Sequence, residues 1–160
     1  MESALLFFVV GLSIFAAKFL VRERSETVRF FVFLGSGILS GGILGLLTGS
    51  SFSTLNIPWG LFALIGGTAG LIIYGADRSK LITRPGIQYI ATILLGFILA
   101  AISYGSMRLY MTITQIEIQN PNTARLLPLT FILIGFLTIF GYTFPERWFK
   151  MRKTYNDSQI

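Results

Sequence analysis

Apolar and charged positions are sharply segregated along this chain. No charge occurs from Ser3 to Ala17, from Phe30 to Ala76, from Pro85 to Met107 or from Leu126 to Pro145. A helix needs about 20 apolar residues to cross ~30 Å of hydrocarbon, so the last two stretches are each the length of one crossing, the second is the length of two, and the first reaches one crossing by taking in Lys18 near its end. Within the long stretch, Gly49-Ser50-Ser51-Phe52-Ser53-Thr54-Leu55-Asn56-Ile57-Pro58 is rich in small, turn-favouring residues and divides it. The pattern predicts an all-α, polytopic membrane protein with five transmembrane helices, at about residues 4–21, 28–48, 58–76, 87–104 and 126–142. Helices are required because an open sheet edge leaves backbone groups without partners in lipid.

The connections differ in character. Residues 22–27 form a turn so short that spans one and two are neighbours, and Arg22-Glu23-Arg24-Ser25-Glu26 compensates its own charge. Beyond span four, Met107, Tyr110, Ile113 and Ile116 recur at helical spacing with no breaker before Asn120-Pro121. This predicts that the helix continues outward to about Gln119, a total of roughly 50 Å at 1.5 Å per residue. After span five, Thr143-Phe144-Pro145-Glu146 fits a capping box with proline in the first turn. Residues 143–160 are therefore expected to form a separate interfacial helix, with Trp148 on its apolar side and Arg147, Lys150, Arg152 and Lys153 facing anionic headgroups. Tyr74, Tyr142 and Trp148 at one boundary, with Trp59 and Tyr104 at the other, fit aromatic belts.

Composition sharpens this picture. Of 160 residues, 53% are apolar and 12% charged, against the roughly 25% charged of soluble domains. Thirteen Lys and Arg oppose seven Asp and Glu. Eleven of the thirteen basic residues flank the first and third connections and the tail, while Arg108 and Arg125 alone fall on the other side. Basic flanks favour the cytoplasm, so the N-terminus is expected outside and the C-terminus inside, in a plasma or inner membrane. Lys18 lies one turn from the end of span one and is expected to snorkel to the interface. The basic residues are short groups beside membrane segments interleaved with Glu23, Glu26, Asp77 and Glu146, which argues for lipid headgroups and against nucleic acid as the counter-charge.

The most informative pattern is the glycine row of span two: Gly37, Gly41, Gly45 and Gly49 recur every four residues. Such a row lets another backbone approach closely, and in lipid, where hydrophobic drive between helices is absent, that approach supplies the attraction. Span three offers a matching face of Ala63, Gly66, Gly67 and Gly70. Two uses are open: an internal hairpin of spans two and three, or a face for another membrane protein or a second copy of the chain. Gly96 with Ala100, and Gly135, form weaker faces of the same type. Gly35-Ser36-Gly37 begins like a dinucleotide loop, but Ser40 stands where the third glycine belongs.

Phe144-Pro145-Glu146-Arg147-Trp148-Phe149 resembles the juxtamembrane PERWF stretch of the hemolysin III and adiponectin-receptor superfamily. That superfamily has seven spans and a zinc site built on histidines. With five expected spans and no His, this chain takes no activity or ligand set from a six-residue likeness.

Candidate chemistry is sparse. The chain has no His and no Cys, and no Asp or Glu falls inside an expected span, so the usual bases, metal ligands and ion-coupling carboxylates are missing. The polar side chains at depth are hydroxyls, including Ser13, Ser36, Ser40, Thr68, Thr92, Thr130 and Thr138, expected to bond to helix backbone. The sequence thus predicts a non-catalytic scaffold, assembly or accessory subunit of a membrane complex, with no cofactor or metal. The alternative is a homo-oligomeric channel or carrier for a small solute or ion.

Overall fold

The computed structural model describes residues 6–48, 59–82, 84, 86–115 and 121–157. It is all-helical: α1 (Phe7–Leu20), α2 (Glu26–Thr48), α3 (Trp59–Arg78), α4 (Gln88–Thr114) and α5 (Pro121–Asp157). Helices α2 to α5 are each long and apolar enough to cross a membrane, and α1 is a shorter apolar helix of 14 residues. This is the architecture of a multi-pass membrane protein. The Gly49–Pro58 connection, including Gly49, lies outside the described residues.

The helix ends depart from the expected spans in instructive ways. Helix α3 continues two residues past Ala76, which brings Asp77 inside it. Helix α4 extends beyond Tyr104 as expected, but Gln115 adopts a left-handed conformation (φ 55°) and donates its N–H to Met111 O, closing the helix. Its 27 residues make about 40 Å rather than 50 Å. The expected continuation at residues 116–119 lies outside the described residues. Helix α5 begins at Pro121, a residue suited to a first turn because it brings no N–H needing a partner.

The separate tail helix is corrected. Helix α5 runs through Pro145 to Asp157 without a break, so the tail continues the last span. Thr143 does not cap a new helix: its hydroxyl donates back to Phe140 O at 3.4 Å. A proline in mid-helix removes one backbone bond, and the turns on both sides here carry the helix past it. Trp148 is exposed on this continuation, while the side chains of Arg147, Lys150, Arg152 and Lys153 lie outside those described.

Helices α2 and α3 share the most extensive contact, α1 packs between α2 and α5, and α4 rests mainly on α5. The α2–α3 seam is built by glycine. A Cβ on Gly37 would overlap the Gly66 carbonyl, one on Gly66 would overlap the Gly37 carbonyl, and one on Gly41 would overlap the Phe62 carbonyl and lie 3.1 Å from Gly66 Cα. One turn further each way, Gly70 abuts the Phe33 carbonyl, and Gly45 lies against Phe62 and the Trp59 carbonyl. Each four-residue step forward on α2 is a step back on α3, the signature of an antiparallel pair in backbone contact. Two shorter glycine crossings follow the same rule: Gly135 against Gly96 and Ala100 joins α5 to α4, while Gly11 against Thr138 and Gly141 against Phe8 join α1 to α5.

Gly66→Ala is therefore expected to destabilise the fold by about 1–3 kcal/mol, the usual cost of overpacking. Gly35→Ala, where nothing among the described residues lies within 4 Å of a new Cβ, should leave stability unchanged or slightly raised. Thermal unfolding of the two variants in one detergent checks the contrast.

Candidate functional site

Four helices meet at one carboxylate. Asp77, in the last turn of α3, has a side chain only 6% exposed. Lys18 Nζ, near the end of α1, lies 2.7 Å from its Oδ1, and Arg29 Nη2, in the first turn of α2, lies 2.9 Å from its Oδ2. The Tyr142 hydroxyl of α5 donates to Oδ1 at 3.0 Å. Both carboxylate oxygens thus accept charge-assisted bonds, the condition under which a buried carboxylate is tolerated.

An aromatic wall surrounds the cluster. Lys18 Nζ stands 5.5 Å from the centre of the Tyr142 ring, within cation–π range. Tyr142, itself fully buried, packs edge-on to Phe15 and tilted against Phe33, and Phe33 meets Tyr74. At the rim, Arg78 pairs with Glu26 at 3.0 Å, but both side chains are more than 60% exposed, so this pair contributes little. Arg29 Nε is buried without a hydrogen-bond acceptor among the described residues.

Three sequence expectations change here. Lys18 is not a solitary cation, because its ammonium is engaged by a carboxylate on a neighbouring helix. A carboxylate does belong to a membrane helix, since α3 includes Asp77. Tyr142 is a core residue rather than part of an aromatic belt, whereas Trp59 and Trp148 are exposed. The missed signal was the pairing of Lys18, one turn inside span one, with an acidic residue one position beyond span three.

The glycines singled out by sequence lie elsewhere. Gly37, Gly41, Gly45, Gly66 and Gly70 all fall on the α2–α3 seam, facing the same chain. The hydroxyls at depth behave as expected. Ser13 donates to Val9 O at 2.9 Å, Ser36 to Phe33 O at 3.0 Å, Ser40 to Ser36 O at 2.6 Å and Thr68 to Ile65 O at 2.8 Å. Thr92 bonds to Gln88 O at 2.7 Å, Thr130 to Leu126 O at 3.0 Å and Thr138 to Ile134 O at 2.8 Å. Every one of these seven hydroxyls is engaged by its own helix.

Compared with protein-family models, curated proteins and solved structures, the chain matches none of them. The cluster itself is a cross-brace: one anion held by groups from three other helices, fixing α1, α2, α3 and α5 at the same end of the bundle.

Asp77→Ala should lower stability by about 2–3 kcal/mol, less than the ~3–5 of a fully buried pair, because Lys18 and Arg29 retain 21% and 29% exposure and can turn toward water. Glu26→Gln should change it by no more than about 0.5 kcal/mol. Denaturant titration followed by near-ultraviolet circular dichroism, which reports the Tyr142 and Phe packing, distinguishes the two.

Proposed function

We propose that this chain is a non-catalytic integral membrane protein acting through helix packing, as a small scaffold, assembly or accessory subunit of a membrane complex. The observation that carries this reading is how the described polar groups within the helices are used. The Asp77 carboxylate is bound by Lys18, Arg29 and Tyr142, and the seven hydroxyls at depth bond to their own helices. Many large apolar side chains are exposed along the described helices. Helix α4 supports the reading further: it rests mainly on α5, and Ile90, Leu94, Ile98, Leu109 and Ile113 are exposed along it. Because the glycine row of α2 lies against α3, the outer faces of α4 and α2 are the surfaces for a membrane-protein partner or a second copy.

In this reading the N-terminus is outside and the C-terminus inside. The placement of Lys18, Arg29, Asp77 and Arg78 at one end of the bundle is what supports gathering the basic windows on one face. The cationic residues of the tail, Arg147, Lys150, Arg152 and Lys153, then lie at the anionic inner surface of a plasma or inner membrane.

One observation favours a second reading, a channel or carrier. An ionisable residue within a membrane helix is a common element of ion-coupled movement, and Asp77 sits between two cations and a phenol. Release of Asp77 from Lys18 would then be the moving step.

Affinity capture of the native complex from membranes in mild detergent should recover a stoichiometric membrane partner or a defined homo-oligomer; a lone monomer would overturn the subunit reading. Solute or ion flux in liposomes holding the purified chain, lost in Asp77→Asn, would establish the second reading instead. Cysteines introduced at Ser53 and Ser79 should be labelled by an impermeant maleimide from outside and inside respectively.

A further inference from the structure

Between α4 and α5 a groove of about 290 Å³ opens on the bundle's outer surface, lined by Tyr89, Ile93, Leu133, Phe136, Leu137 and Phe140. Its floor is set by the glycine crossing of these helices, where Phe136 lies over Gly96 and packs edge-on against Phe97. Its open end lies toward the ion cluster. Tyr89 is in the first turn of α4, and Phe140 is two residues from Tyr142, whose hydroxyl binds Asp77. From Phe140 to Leu133 the groove follows seven residues of α5, about 10 Å of axis. The cleft is thus apolar at depth and begins where the membrane helices meet their charged connections.

Charge marks that beginning. Arg84 is exposed, and its carbonyl accepts the Gln88 N–H at 3.1 Å, one hydrogen-bonded turn before α4. Gln88 carries the line on to Thr92 at the groove wall, since Thr92 bonds back to the Gln88 carbonyl. Of the acidic residues at this end, the Asp77 carboxylate is held by Lys18 and Arg29, and Glu146 on α5 is outnumbered by Arg147, Lys150, Arg152 and Lys153. From α5, Phe140, Phe144 and Trp148 stack successively away from the groove toward the tail, with centroid separations of 5.4 and 6.3 Å. A molecule with a hydrocarbon chain in the groove would therefore place its polar end toward the end of α4 that Arg84 precedes, with an aromatic ladder flanking it.

We propose that this groove is a binding site for one anionic phospholipid, with an acyl chain lying along Ile93, Leu133, Phe136 and Phe140 and the headgroup phosphate against Arg84. Charge complementarity at the mouth selects an anionic headgroup over a zwitterionic one, and the groove's length of about 10 Å along α5 accepts only part of a chain, the rest remaining in the bilayer. This goes beyond the packing role above and requires only that the helices sit in a membrane.

The test uses the full chain in nanodiscs of equal palmitoyl-oleoyl phosphatidylglycerol and phosphatidylcholine, followed by detergent extraction and native mass spectrometry. One phosphatidylglycerol is expected to remain bound per chain. Ile93→Trp, at a position 48% exposed and so harmless to folding, should fill the groove and remove the bound lipid. Ile98→Trp, equally exposed but outside the groove, should not. Arg84→Gln should keep a lipid in place but lower the preference for phosphatidylglycerol by about fivefold. Equal retention by the parent and Ile93→Trp overturns the site, and equal retention of the two lipids by the parent overturns the headgroup assignment.

Discussion

Membrane helices gain nothing from hiding apolar side chains from one another, because the surrounding lipid is as apolar as they are. The bundle must therefore be held by contacts that lipid does not reproduce. Two kinds are present: backbone against backbone where glycine removes the intervening side chain, and a carboxylate whose alternative is exposure to hydrocarbon. The α2–α3 seam is the first kind over several turns, and Asp77 is the second.

These two devices act at different places and divide the work. Glycine contact fixes how closely and at what register α2 and α3 lie, but leaves α1 and α5 free of that pair. The Asp77 cluster removes that freedom at one end, since Lys18, Arg29 and Tyr142 converge on the same two oxygens from three other helices. Helix α4 has no such tie among the described residues, and its principal fixed contact is the Gly96–Gly135 crossing with α5. It is accordingly the helix with the broadest exposed apolar face, and the one beside the groove.

The helical class and the approximate positions of the membrane helices were legible in the sequence because both depend on one-dimensional quantities: run length, hydropathy and the spacing of glycine. Gly37, Gly41 and Gly45 announced a close helix contact, although periodicity alone left open whether the partner was Gly66 of the same chain. Lys18 and Asp77 were misjudged for a related reason. Each stands near the end of an apolar run, where a charge is ordinarily solvated, and only the packing of α1 against its neighbours turns two boundary charges into one buried pair. Gly11 and Gly141 were missed because a single glycine carries no repeat. Pro145 misled in the opposite direction, since a capping box is a local pattern and the continuing helix on both sides overrode it.

Tyr142 has a consequence for how the molecule is assembled. Its bond to Asp77 spans 65 residues, while Lys18 and Arg29 reach the same carboxylate across 59 and 48. A chain leaving the ribosome N-terminus first can close the two ionic contacts once α3 has emerged, before α5 docks. The first three helices can thus be tied together early in biosynthesis, with the phenol arriving last as α5 docks onto α1.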